Sequence, residues 1–234
     1  MTNEREWVWV IKESELNLVP GLADSPLVFG DEAVEAFWGL LSGAFFVDRD
    51  EAEKSPQYKQ VIPYNVISCD GMFLTYQRSG GRESRLDAKH SIGIGGHINK
   101  DDAQTFWKRM VYHAALREID EELVYVDGGK HFPASSVLHD KLRVRGILYD
   151  ESDEVGRVHL GLILEAQVDL GDSQRLQMLS EGKNLRWLPL KELHRLRVLE
   201  GWSQIVVNAL VAWQEAHGVS HSESSKTLKE LSEE

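Results

Sequence analysis

Apolar and polar positions alternate from the start of the chain. Trp7 to Ile11, WVWVI, interleaves aromatic and β-branched residues and predicts a strand or an interface-forming edge. After Pro20, Gly21, Pro26 and Gly30, the run DEAVEAFWGLLSGAFF sets Val34, Phe37, Trp38 and Leu41 at helical spacing behind Asp31, which predicts a helix over residues 31–46. A charged stretch, DRDEAEKSPQYK, then leads to Val61. Two strand-like runs, VIPYNVISC and MFLTYQ, flank Asp70-Gly71, a two-residue hairpin signal. A basic loop with Arg78, Arg82, Arg85, Lys89 and His90 precedes SIGIGGHI, and after Asp101 and Asp102 a long helix is predicted to about Leu123. LRVRGILY and VHLGLILEAQV predict a second hairpin across the acidic turn DESDEVGR. LRWLPL is a short strand stopped by Pro189, KELHRL begins a helical segment, and WSQIVVNALVAWQEA is a helix with a strongly apolar face.

Antiparallel hairpins with interspersed helices point to an α/β sandwich around a mixed sheet. Residues 1–60 are too few to bury much core alone and are expected to pack on a main domain of residues 61–217, followed by a polar, mobile tail at 218–234. The length of 234 residues, with 42% hydrophobic and 27% charged positions, fits one globular domain with an extension. The net charge of −12 would repel a polyanion, which argues against long nucleic acid as the partner. A small phosphorylated substrate is compatible with it, since local cations or bound metal can reverse the field. The one cysteine, Cys69, permits no intrachain disulfide and reads as a packed, inert thiol. No apolar run reaches the ~20 residues of a membrane span, and the start carries acids without a small-residue cleavage site, so a cytoplasmic protein is expected.

The chemistry concentrates in ALREIDEELVYV. On a helix, Leu116, Ile119 and Leu123 share one face while Glu118, Glu121 and Glu122 gather on the other. Like charges on adjacent turns repel, and a hard divalent ion, which prefers oxygen ligands, would relieve that repulsion. Arg117, four residues before Glu121, is placed to hold a carboxylate. Upstream, Gly95-Gly96 close a β-like run, where missing side chains let backbone approach a phosphate or present a carbonyl to a metal.

This order resembles the Nudix hydrolase family, whose box reads G-x5-E-x7-R-E-U-x-E-E-x-G-U with U aliphatic. Gly96 matches the leading glycine, Arg117-Glu118 the RE, Ile119 the first U and Glu121-Glu122 the EE. The chain departs from the box in three places. Gly96 and Arg117 are separated by 20 residues where the pattern has 13, the middle Glu has no counterpart beyond the neighbourhood of Asp101 and Asp102, and Val124 replaces the late glycine. The resemblance extends from about Val61 to Ala216 and implies a Nudix-like α/β/α sandwich that hydrolyses a nucleoside diphosphate linked to another group. It implies Mg2+, with Mn2+ as the alternative, held by Glu118, Glu121 and Glu122, with the Gly96 carbonyl and a loop acid, Glu181, as further ligands. One of the box glutamates or a loop carboxylate would act as general base, and Arg117 would position them.

Arg78, Arg85 and Lys89 are candidates for substrate phosphates, as is His97 directly after the glycines. Acids between Asp150 and Glu154 compete with Glu181 but suit a solvated hairpin tip, and His159, inside an apolar strand, reads as a core or sheet-face histidine. Trp7, Trp9, Phe37 and Trp38 suit core packing, with base stacking or a homodimer contact as alternatives. The other functional class is a Nudix-like sensor that binds a nucleotide without cleaving it. Three retained box glutamates and the lack of a basic helix-turn-helix segment argue against it.

Overall fold

The structure, a computed structural model, describes residues 5–78, 89–179 and 184–216. In chain order the first elements are β1 (Trp7–Lys12), β2 (Leu27–Phe29), α1 (Asp31–Leu41), β3 (Phe45–Asp48), α2 (Arg49–Ala52), β4 (Tyr58–Cys69) and β5 (Met72–Gln77). They are followed by β6 (His90–Ser91), β7 (Gly93–Gly95), α3 (Trp107–Glu122), β8 (Leu123–Asp127), β9 (Lys130–Pro133) and α4 (Ser135–Leu138). The last are β10 (Arg143–Leu148), β11 (His159–Gln167), α5 (Leu170–Arg175), β12 (Leu176–Met178), β13 (Arg186–Pro189), α6 (Leu190–Leu193) and α7 (Gly201–Ala216). The chain divides into two compact units, and the boundaries fall inside β4, α3 and β11.

The first unit comprises residues 1–64, 95–115 and 144–163. Its strands run in the order β3-β1-β4-β11-β10-β2. WVWVI is therefore an interior strand rather than an edge, pairing antiparallel with β3 on one side and β4 on the other. Val8 and Val10 pack with Val47 and Ala52, and Phe45 meets Tyr58 edge-on at 5.8 Å. Trp9, Phe37 and Trp38 are buried, so core packing is where these aromatics go. Trp38 stacks at a tilt on Trp107 with ring centroids 5.4 Å apart.

The predicted helix over residues 31–46 stops at Leu41. The Ser42 and Gly43 amides turn back onto Gly39 and Leu40, and Phe45 and Phe46 cross into β3, where the neighbouring strand β1 supplies ladder partners. Tertiary pairing here overrides a helical run of apolar residues.

The second unit comprises residues 65–94, 116–143 and 164–234. There the end of β4 pairs with β5, which carries β13 on its other side, and β6 also pairs with β5. Asp70 and Gly71 take φ of +46° and +72°, the left-handed pair that a two-residue hairpin needs. A separate three-stranded sheet runs β12-β8-β9. Its β8-β9 hairpin turns at Gly128-Gly129, a hairpin signal that the helical reading of the neighbouring segment hides. Buried Glu200 accepts from Ser91 Oγ at 2.6 Å and Ser203 Oγ at 3.1 Å, tying the start of α7 to β6. Cys69 is buried and unpaired with any other cysteine, as expected of a packed thiol.

Candidate active site

The final turns of α3 carry the acidic face. Ile119 and the adjoining Leu123 are buried, which fixes the opposite face outward and sets the glutamates on it. Arg117 Nη1 donates to Glu118 Oε1 at 2.7 Å and to Glu121 Oε1 at 2.9 Å. A single cationic nitrogen therefore draws two of the three carboxylates to one point. Glu118 is held under cover, with its side chain 15% exposed, whereas Glu121 stands 57% exposed. Glu122 is half-buried, and its carbonyl accepts from the Leu179 amide, which fastens the helix end to the chain beyond β12. The chain enters β8 at once through Leu123 and Val124, where the Nudix box has its late glycine.

Asp120, between the glutamates, points elsewhere: it accepts from the Ser135 amide at 2.8 Å and from Ser135 Oγ at 2.6 Å at the start of α4. Asp102, one of the two stand-ins for the missing middle glutamate, is fully buried. It accepts from the Asn99 amide at 3.0 Å and faces His113 Nδ1 at 3.1 Å, closing a capping box around a short 3-10 turn. Asp101 is exposed on that turn.

Gly95 belongs to the first unit, and its lack of a side chain has a packing cause. A Cβ there would stand 3.2 Å from Ile62 Cγ2 and from the Pro63 carbonyl oxygen, and 3.3 Å from Tyr64 Cδ2. Gly96 follows directly after β7, and His97 after it. Arg78 and Lys89 are brought together by the Arg78 amide, which donates to the Lys89 carbonyl at 2.8 Å. The Arg78 guanidinium also pairs with Glu200 at 3.2 Å. Arg85 and Glu181 lie outside the described residues. Of the acids between Asp150 and Glu154, Asp150 accepts from the Ser152 amide and hydroxyl within its own turn, as befits a hairpin tip.

Sequence reading passes over a second constellation. Among the described residues, the one group of three or more His, Cys, Asp or Glu side chains with ligand atoms within 4.8 Å of one another is Glu53, His97 and His159. These residues come from three distant parts of the chain, so no local spacing betrays them. His159 is buried as expected, but against another histidine.

No family profile matches the chain. Protein YmaB of Bacillus subtilis (strain 168) is 32% identical over 165 residues, covering 69% of this chain and 76% of that protein. The crystal structure of Tm1382, described as a candidate Nudix hydrolase, superposes with a TM-score of 0.67 at 26% identity, covering 89% of this chain and 100% of its own. The chain belongs to the Nudix hydrolase family. Its class, α/β with a mixed sheet, is that of the Nudix fold. As a Nudix protein it keeps the RE and EE pairs of the box on α3 and departs from the pattern in the segment before them and in the residue after Leu123.

Proposed function

We propose that the protein is a divalent-metal-dependent Nudix hydrolase that cleaves the diphosphate linkage of a nucleoside diphosphate joined to another group. The observation that carries this reading is Arg117 bridging Glu118 and Glu121. Two carboxylates already converge on a cationic centre, and Glu122 follows on the same helical turn. All-oxygen donors of this kind fit Mg2+ or Mn2+ rather than a softer ion.

Glu118, Glu121 and Glu122 would hold the ion, with Glu181 as a further ligand. Bound there, the ion would neutralise diphosphate oxygens and lower the pKa of a water. The chain's own residues do the rest. Arg117 orients Glu118 and Glu121 and offsets their mutual repulsion, and one of the box glutamates or a loop carboxylate would take the proton from the attacking water. Arg78, Arg85 and Lys89 would meet the substrate's phosphates, while His97 faces His159 and Glu53.

Glu122→Gln tests the assignment. Incubated with Mg2+ and a panel of nucleotide sugars, dinucleoside polyphosphates, ADP-ribose, NADH and oxidised nucleotides, the wild-type protein releases phosphorylated products seen by mass spectrometry. The variant keeps its melting temperature and loses turnover by about 100-fold or more. A non-cleaving sensor would show a ligand-dependent rise in melting temperature with no product from either protein.

A further inference from the structure

Glu53, at the C-terminal end of α2, His97, just past β7, and His159, at the start of β11, converge within the first unit. The two Nε2 atoms are 3.2 Å apart, and each lies 4.0 Å from Glu53 Oε1. The imidazoles are covered, their side chains 15% and 8% exposed. His159 Nδ1 stands 2.7 Å from the Val155 carbonyl oxygen. A carbonyl only accepts, so Nδ1 carries the proton and donates, which leaves Nε2 as the atom turned to His97 and Glu53. That is the outer hydrogen bond by which proteins fix a metal-binding imidazole.

The surrounding structure holds this geometry. Lys59, fully buried, donates to Glu151 Oε1 at 2.8 Å and to the Arg157 carbonyl at 2.6 Å, pinning both ends of the loop that presents Val155. The next residue, Gly156, passes so close to Asp150 that a Cβ would lie 1.7 Å from its carbonyl oxygen. On the other side, the Trp9 amide donates to the Ile98 carbonyl at 2.8 Å and fixes the chain beside His97. Arg49 Nε faces Glu53 Oε1 at 3.5 Å while its Nη1 is gripped by both oxygens of Glu6 at 3.0 and 2.9 Å. Arg49, itself held by Glu6, thus steadies the Glu53 carboxylate.

We propose that Glu53, His97 and His159 bind a divalent transition-metal ion of the zinc class. Two ligand nitrogens about 2.05 Å from a tetrahedral ion stand about 3.3 Å apart, which the imidazole pair already satisfies. Glu53 Oε1 closes the set by moving in less than about 1 Å. Two imidazoles and one carboxylate favour zinc, nickel or cobalt over magnesium, and three protein ligands leave a position open for water or a substrate atom. The site is separate in composition from the box glutamates and stands whether or not the hydrolase reading does.

The test uses the full-length, untagged protein stripped by chelator and dialysed. Calorimetric titration with zinc alone is expected to give one ion per chain, and cobalt to give the visible d–d bands of a low-coordinate nitrogen and oxygen site. Magnesium in excess leaves both unchanged. His97→Gln and Glu53→Gln, checked for fold by circular dichroism, each weaken zinc binding by about 100-fold or more; His159→Gln does the same if it folds. Absence of stoichiometric zinc and cobalt binding in the wild type, or undiminished binding in both His97→Gln and Glu53→Gln, overturns the site.

Discussion

Arg117 reaches two carboxylates with one guanidinium nitrogen, on a planar head longer than a lysine ammonium. Arg117→Lys keeps the charge but not the reach. It is expected to cut turnover while melting temperature falls only slightly, since an i,i+4 pair with an exposed partner contributes about 0.3–0.5 kcal/mol. Steady-state kinetics beside a thermal melt read both, and a loss of stability in proportion to activity would make the bridge merely structural. Gly156 shows the opposite kind of constraint. With 1.7 Å between its absent Cβ and the Asp150 carbonyl oxygen, Gly156→Ala must displace backbone, at a cost of about 1–3 kcal/mol in a urea unfolding curve.

Two carboxylates couple to acid stability. The Lys59 ammonium, hydrogen-bonded to Glu151, holds that carboxyl below its ordinary pKa, and Lys141 does the same for Asp172. A depressed folded-state pKa favours the native form above the ordinary carboxylate range, and the benefit is lost as pH falls through the depressed values. Melting temperature is therefore expected to drop as pH is lowered below the ordinary carboxylate range, and the drop to be shallower in Glu151→Gln. An unchanged pH profile in that variant would remove Glu151 from the linkage.

At the scale of elements, the hairpins, α3 and α7 were legible because each has a local signal: Asp70-Gly71 at a turn, or apolar residues at helical spacing such as Val206, Val207 and Leu210 on α7. The end of α1 was not, because the fate of Phe45 and Phe46 depends on β1, far away in sequence. The same division runs through the candidate site. Glu118, Glu121 and Arg117 lie on one helix and could be read directly. Glu53, His97 and His159 meet only through folding, and of these only His97 stood beside a motif. Asp102, in the neighbourhood of the missing middle glutamate, is a buried cap whose role depends on contacts with Asn99 and His113.

For the whole molecule, a charge of −12 and an acidic helix face need bound cations before an anionic substrate can approach. Chelation by EDTA is accordingly expected to abolish hydrolysis and excess Mg2+ to restore it. Among the described residues no helix is long and apolar enough to cross a membrane. The similarity to Tm1382 covers 89% of this chain, a larger share than residues 61–217 alone would make. α3 is expected to present a metal-dependent hydrolytic centre. Its most direct test is mass-spectrometric product analysis of the wild type and of the triple variant Glu118→Gln, Glu121→Gln, Glu122→Gln, with Mg2+ and a panel of nucleoside diphosphate derivatives. Phosphorylated fragments are expected from the wild type and none from the folded variant; equal product from both would rule out a hydrolytic role for these glutamates.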